Sequence, residues 1–357
     1  MKILFVLEYY PPHIGGVETL FENLITSLSN EKIDYKIITT FHPDRSSSPN
    51  ITQVKCRNRY LFSLFALYHC FQQAKEVDLV HTTSYNAAIP AFFAAKYRKK
   101  KIIITFHEVW GNLWLRLPFM NPISKIGHFL FEQFILKLPF DIFHAPSQST
   151  AKTLESHGVK AKKITQIYPG INLDQIPKDT WAPPREPMFT YFGRLGISKG
   201  LKIMLPAVIN YLQQNPTAEF QFIIPRRPKK IFLWIQRKIK KARMTGRIQI
   251  YPIQEQEKLF ETLSKSTAII IPSHSEGFCF AATEAQAIGV PILASKNGSL
   301  PEVVGGLHNF LSEISHDALI YNLTKAQEGH WKEKAKREFQ TKEFVKEYVW
   351  MLKKMNE

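Results

Sequence analysis

Short apolar runs alternate with helical patterns twice along this 357-residue chain, and that double rhythm limits the folds open to it. Lys2–Leu7, Tyr35–Thr40, Leu79–His81, Ile102–Phe106 and Ile142–Ala145 read as strands. Helical stretches such as Val17–Ser29 and Ser149–His157 lie between them. The rhythm restarts at Phe189–Phe192, Phe220–Ile224, Ile248–Tyr251, Ala268–Ile271 and Ile292–Ala294. Strands that alternate with helices form parallel sheets covered on both faces. Ile171–Pro187 holds Pro177, Pro183, Pro184 and Pro187 with few apolar residues, so it reads as a linker. We therefore expect an α/β chain of two Rossmann-like domains, 1–171 and 172–340. The last stretch, 341–357, reads as an amphipathic helix with Phe344, Val345, Tyr348, Val349 and Leu352 on one face.

A chain of this length is long for one core and comfortable for two. No run approaches the roughly 20 apolar residues that span a bilayer. Met1–Glu8 is too short and too soon charged for a signal peptide and reads as a buried first strand. Cys56, Cys70 and Cys279 are scattered, with no metal spacing or disulfide framework, which fits a reducing cytosol. The expected location is cytoplasmic, extending to the cytoplasmic membrane face.

The formal charge of +17 is unevenly spread. Phe220–Gln254 holds no Asp or Glu, while Arg226, Arg227, Lys229, Lys230, Arg237, Lys238, Lys240, Lys241, Arg243 and Arg247 fall there, interleaved with Ile231, Phe232, Leu233, Trp234, Ile235 and Ile239. This reads as a basic amphipathic helix. Either it lies on an anionic membrane surface or binds nucleic acid, or its apolar stripe faces a core and its basic face meets water. No recognised nucleic-acid module accompanies the charge, so no nucleic-acid partner is expected.

Four constellations carry candidate chemistry. In Pro272–Ile292, Glu276 and Glu284 stand eight positions apart. Glu276, followed by Gly277 and Phe278, falls in a loop after the strand Ala268–Ile271. Glu284 falls on a helix, Ala281 to Ile288, ended by Gly289. In an open α/β sheet, ligands bind at the carboxyl ends of strands, and a helix amino terminus suits phosphate. A carboxylate there can accept hydroxyls, so the pair suits a nucleotide sugar. Phe192–Gly200 places Arg194 and Lys199 among Gly193, Gly196 and Gly200, a loop able to grip phosphate oxygens. Tyr9–Glu18 carries Gly15 and Gly16 directly after the first strand, a turn that lets backbone approach a ligand. It is not a Gly-x-Gly-x-x-Gly fingerprint, which disfavours a dinucleotide dehydrogenase. Thr105–Gly111 places His107 and Glu108 at a strand end.

Together these motifs resemble the retaining glycosyltransferases of family 4, which have the GT-B fold: two Rossmann-like domains whose parallel sheets face across a cleft. The resemblance rests on Glu-x7-Glu with Ala-x-Ala-x-Gly-x-Pro-Ile, on Gly-Arg-x-x-x-x-Lys-Gly, on Pro-Pro before Gly-Gly-x-Glu, on His107, on Pro146–Asn172, and on Gly298-Ser-Leu-Pro-Glu-Val303. It runs from the first strand to about Glu302. There are departures. Glu108 stands where many members have Asp, Ser299 replaces a Gly, and Cys279, Phe280 and Ala281 replace the commoner Gly, Leu and Pro. Pro225–Pro228 replaces a Gly-x-Gly loop.

The resemblance implies that Arg194 and Lys199 hold a donor diphosphate and that Glu276 binds the donor sugar. Gly15, Gly16, Gly277 and Phe278 line the donor, Glu284 takes the ribose, and His107 orients the sugar or assists at the anomeric centre. It implies a final helix crossing back onto the first domain, and a UDP- or GDP-hexose donor with a glycan or lipid-linked acceptor. The nucleotide sugar is a substrate, so no cofactor is expected. No Asp-x-Asp motif occurs, so no obligatory metal is expected. Rival readings are a GT-B sugar-nucleotide epimerase, an inactive scaffold, and a basic nucleic-acid- or membrane-binding protein without catalysis. Apolar clusters at Tyr60–Phe65 and Trp110–Phe119 point to a lipid-linked acceptor and an anionic membrane surface.

Overall fold

The computed structural model describes residues 1–13, 15–172 and 176–356. Ile14 of the first glycine turn, residues 173–175 of the expected linker, and Glu357 lie outside the described residues. The chain divides into two compact units. Unit 1 comprises Met1–Leu115, Pro122–Ile171 and Phe339–Glu357, and unit 2 comprises Arg116–Asn121 and Asn172–Glu338. Two boundaries therefore differ from the expected 1–171 and 172–340. Residues 116–121 pack into unit 2, where the Phe119 ring meets the edge of Trp234 at 5.4 Å and Lys230 Nζ donates to the Phe119 carbonyl at 3.1 Å. Phe339 and Gln340 join unit 1, where the Phe339 carbonyl accepts from Ile171 N at 2.8 Å.

Unit 1 is built on seven strands: β1 (Lys2–Val6), β2 (Asp34–Thr40), β3 (Ile51–Val54), β4 (Leu79–Thr83), β5 (Lys101–Thr105), β6 (Ile142–Ala145) and β7 (Ile164–Gln166). They lie in the order β3-β2-β1-β4-β5-β6-β7, every pair parallel. Strands such as β1 and β4 are buried almost throughout, because helices cover both faces of a parallel sheet. The helices Phe62–Gln73, Ala88–Tyr97 and Pro122–Lys137 share one apolar core with the sheet. The strand order reverses at β1 and β4, so the loops leaving their carboxyl ends diverge and open a crevice.

Unit 2 repeats the plan with β8 (Met188–Phe192), β9 (Glu219–Ile223), β10 (Ile248–Tyr251), β11 (Ala268–Ile271), β12 (Ile292–Ala294), β13 (Gly306–Phe310) and β14 (Lys332–Lys334). The order is β10-β9-β8-β11-β12-β13-β14, and the reversal falls between β8 and β11. All pairs are parallel except β13 with β14. The charged, exposed β14 ends the sheet with side chains that discourage further pairing.

The basic run of unit 2 resolves in favour of a core-facing stripe. Helix Lys229–Lys241 buries Ile231, Ile235 and Ile239 in the unit 2 core and leaves its cations outside.

The C-terminal helix, Thr341–Asn356, packs on helix Gly16–Leu28 of unit 1 and buries Phe344, Val345, Tyr348, Met351 and Leu352. Beneath it runs a buried polar chain. Tyr348 OH lies 2.7 Å from His81 Nδ1, and His81 Nε2 lies 2.7 Å from Thr105 Oγ1. Thr105 Oγ1 lies 2.9 Å from His144 Nδ1, and His144 Nε2 lies 3.2 Å from the Ile167 carbonyl. Burial lowers the pKa of His81 and takes that of His144 down to about 4, so both rings are neutral at pH 7. A neutral imidazole donates from one nitrogen and accepts at the other, which keeps the chain unbroken. Tyr348→Phe would strand a buried His81 nitrogen and should cost roughly 1–3 kcal/mol. Urea unfolding measures this, and an unchanged midpoint would show that the link contributes nothing.

Candidate functional site

Pairing of β8 with β11 is what assembles the unit 2 site. Phe189 stands opposite Ala268 and Thr190 opposite Ile269, so the loops leaving these two strands emerge side by side. One is the cation loop with Arg194 and Lys199; the other carries Glu276. Residues 77 positions apart thereby meet: Lys199 Nζ lies 2.7 Å from Glu276 Oε1. Ser273 Oγ donates to the same oxygen at 2.7 Å. Glu276 is buried and Lys199 half-buried, whereas Arg194 is exposed and its carbonyl accepts from Tyr191 OH at 2.9 Å.

Two glycines permit this closeness. A Cβ on Gly200, at φ +66°, would lie 1.9 Å from the Pro272 carbonyl oxygen. A Cβ on Gly298, at φ +60°, would lie 2.2 Å from the Glu276 carbonyl oxygen. The cation loop and the Gly298 turn are thus pressed onto the backbone of the glutamate loop. Ser299 secures it further: its backbone N donates to the Glu276 carbonyl at 2.9 Å and its buried Oγ to the Phe278 carbonyl at 2.9 Å. The departure from Gly at position 299 therefore adds a hydrogen bond to the loop.

The helix after the glutamate loop runs Phe280–Ile288 and is closed by Gly289 at φ +92°. It starts one residue earlier than expected from sequence. Cys279 precedes it at φ +81°, a left-handed conformation that disfavours a residue with a Cβ. Gly277 and Phe278 are buried, the Phe278 ring resting 5.2 Å from Phe280. Glu284 is half-buried and accepts no hydrogen bond among the described residues. Burial without a donor raises its carboxyl to about 7.

In unit 1, Gly15 precedes helix Gly16–Leu28 in an extended conformation, φ 166°, and no side chain caps that helix. His107 follows β5, half-buried, its ring 6.1 Å from Phe21. The loop it enters is pinned by Glu132, fully buried, which accepts from Trp110 N at 3.0 Å, Gly111 N at 2.6 Å and Tyr85 OH at 2.8 Å. Glu108 is engaged by the Trp110 indole N–H. Sequence reasoning missed Glu132, whose only sequence signal is an acid amid the apolar helix Pro122–Lys137. It also missed Glu8, buried at the end of β1, where Arg59 Nε lies 2.8 Å away and Asn86 Nδ2 donates at 2.9 Å. The loops after β1 and β4 meet in this way, as those after β8 and β11 do in unit 2.

Two family models cover most of the chain: Glycosyltransferase Family 4 over residues 14–175 and Glycosyl transferases group 1 over residues 174–338. The chain is 27% identical over 346 residues to a D-inositol 3-phosphate glycosyltransferase of Corynebacterium diphtheriae, covering 86% of this chain and 80% of that one. It is 25% identical to a 41.2 kDa protein of the cps region of Klebsiella pneumoniae, covering 93% of each. Against the D-inositol 3-phosphate glycosyltransferase of Streptomyces bingchenggensis the identity is 24%, and the match spans 57% of that protein. With two further Streptomyces relatives the match spans only 45% and 41% of their lengths. Among solved structures, sucrose-phosphate synthase from Thermosynechococcus elongatus superposes with a TM-score of 0.80 at 16% identity, covering 99% and 98% of the two chains. Anabaena HepE in complex with UDP-glucose superposes at 0.74 and 15% identity, covering 99% and 100%. These likenesses show the GT-B fold.

Gly298→Ala should disturb the site through backbone overlap alone. Strain of this kind costs on the order of 1–3 kcal/mol, and the Glu276 backbone would have to move. A thermal melt equal to wild type would contradict the close packing described here.

Proposed function

The chain belongs to glycosyltransferase family 4, and from that premise we propose that it is a retaining hexosyltransferase. It takes the hexosyl group from a UDP- or GDP-sugar and passes it to a glycan or lipid-linked acceptor, in cell-surface polysaccharide or glycolipid synthesis. The observation that carries this reading is the meeting of a cation loop and a glutamate loop at the reversal between β8 and β11. The UDP-glucose bound by the HepE neighbour and the cps-region relative support the donor and the pathway.

In this scheme Arg194 and Lys199 grip the diphosphate. Lys199 exchanges Glu276 for a phosphate oxygen, which frees Glu276 to accept from sugar hydroxyls. Glu284, as the anion, accepts from the ribose. Gly15, Gly16, Gly277 and Phe278 keep their donor-lining assignment, and His107 its sugar-orienting one. As the bond from the anomeric carbon to the diphosphate oxygen breaks, the acceptor oxygen bonds to the same face. The leaving diphosphate takes the acceptor proton. The two cations offset the charge that develops there, so the scheme needs no divalent ion and no cofactor.

We place the acceptor at an anionic membrane surface, and unit 1 supplies a face for it. Among the described residues no helix is long and apolar enough to cross a membrane. Helix Pro122–Lys137 nonetheless exposes Ile123 (85%), Ile126, Leu130 and Phe134 at helical spacing, while its one acid, Glu132, is buried. Tyr60, Leu64, Phe65 and Tyr68 are exposed nearby, and Tyr60 OH lies 3.4 Å from His128 of that helix. Lys125 and Lys137 flank the stripe. Of the apolar clusters singled out in the sequence, Phe62, Trp114 and Leu117 are core, whereas Tyr60, Leu64, Phe65 and Leu115 are exposed.

Arg194→Ala and Lys199→Ala should each weaken UDP or GDP binding by roughly 1.5–3 kcal/mol; calorimetry showing unchanged affinity in both removes the clamp. Glu276→Gln should lower turnover more than nucleotide affinity, and Glu284→Ala the reverse. Turnover should persist with a chelator present, and a strict requirement for added divalent ion contradicts the metal-free scheme.

Because burial raises the Glu284 carboxyl from 4.5 to about 7, the folded state holds that proton more tightly than the unfolded state. Glu284→Gln should therefore gain stability as pH rises from about 4.5 to 7, reaching on the order of 1–3 kcal/mol at pH 8, with no gain at pH 4. A pH-independent difference contradicts the raised value. Anionic vesicles should co-sediment the chain in a salt-sensitive manner, and Ile126→Asp with Leu130→Asp should abolish this. Equal, negligible binding to anionic and neutral vesicles removes the membrane assignment.

A further inference from the structure

A concavity of about 510 Å³ lies wholly within unit 1, at the carboxyl ends of β1, β2 and β3. Its size suits a small ligand group. Tyr9 and His13 line it from the loop after β1, Thr40 from the end of β2, and Lys55, Arg57 and Arg59 from the loop after β3. No acidic residue lines it among the described residues. Arg59 is committed to Glu8, with Nε 2.8 Å from Oε1 and Nη2 3.2 Å from Oε2. Lys55 and Arg57 remain as exposed cations, Lys55 Nζ standing 5.0 Å from the Phe41 ring. Asn58 Oδ1 accepts from Tyr60 N at 3.1 Å and Leu61 N at 3.2 Å, which fixes the end of this loop.

The wall is rigid. Arg45 donates to the Pro11, Thr40 and Tyr10 carbonyls at 2.7, 2.7 and 2.6 Å, tying the loop after β1 to the end of β2. Burial and the Glu8 carboxylate, to which its hydroxyl donates, push the Tyr9 phenol up to about 12, so it stays neutral and helps hold Glu8 in place. A braced concavity that offers the exposed cations Lys55 and Arg57, with no carboxylate among its described lining residues, suits a compact anion of two or more charges.

We propose that this pocket is a subsite for a phosphate or diphosphate group carried by the acceptor. The proposal rests on the transferase reading, which assigns the donor's own diphosphate to Arg194 and Lys199 in unit 2 and leaves this second anion site without a donor group to fill it. The loop that supplies the cations leads directly into the exposed Tyr60, Leu64 and Phe65. An anionic group held here therefore lies next to an apolar surface suited to a lipid tail.

The test titrates inorganic pyrophosphate, and separately water-soluble geranyl diphosphate, into the full chain saturated with UDP, so that the donor site is already filled. Pyrophosphate should bind the UDP-saturated wild type. K55A/R57A, two exposed positions, should weaken it by roughly tenfold to a hundredfold with UDP affinity unchanged. Tighter binding of geranyl diphosphate than of pyrophosphate identifies a lipid-carried group, and equal binding identifies a soluble phosphorylated acceptor; both uphold the subsite. Neither ligand binding the UDP-saturated wild type, or K55A/R57A binding as wild type does, overturns it. Failure of UDP itself to bind would instead strike the transferase reading, because UDP is read in a separate titration.

Discussion

The reversal of strand order in each parallel sheet is the constraint on which the rest of the molecule depends. Connections on either side of β8 and β11 run to opposite edges, so their carboxyl-end loops are left facing each other without a crossing helix to cover them. This, with the close approach that Gly200 and Gly298 permit, brings Lys199 to Glu276 across 77 residues of sequence. A buried carboxylate is costly unless paired and hydrogen-bonded. Glu276 meets that demand with Lys199 and Ser273, and the pair is the part of the site a phosphate can compete for. Glu284 has no such partner and responds by holding its proton more tightly. Two carboxylates eight positions apart therefore meet different surroundings, one paired and hydrogen-bonded, the other accepting no hydrogen bond among the described residues.

The same geometry explains how residues unusual for the family are accommodated. Ser299 bonds the Phe278 carbonyl, so its hydroxyl strengthens a loop that a glycine would leave looser. Cys279 sits in a left-handed conformation, and its thiol meets the Ala282 backbone N–H at the start of the helix. Glu108 is occupied by the neighbouring Trp110 indole, and its loop is positioned by Glu132 beneath.

Much of this was legible in the sequence because buried parallel strands are continuous apolar runs and left-handed helix ends call for glycine. β1, β8, β11 and the Gly289 stop could be read on those grounds. β3 and β7 could not, being short and half polar, nor could the charged β14, whose edge position is decided by β13. Periodicity marks an apolar stripe without saying what covers it. The stripe of Lys229–Lys241 is buried in a core, whereas Ile123, Ile126, Leu130 and Phe134 of Pro122–Lys137 face outward. Lys55, Arg57 and Arg59 belong to no motif in the sequence, and only the fold, through β1, β2 and β3, gathers them around one concavity. Residues 116–121 joined unit 2 through Phe119 and Lys230, contacts that carry no local signal.

The central claim is that Lys199 leaves Glu276 for the diphosphate when the donor binds. A crystal structure of the chain with UDP measures it directly. The account predicts Lys199 Nζ within hydrogen-bonding distance of a phosphate oxygen, roughly 2.7–3.2 Å, with Glu276 turned toward the space beyond the diphosphate. UDP bound elsewhere, with the Lys199–Glu276 pair intact at its present 2.7 Å, would contradict it.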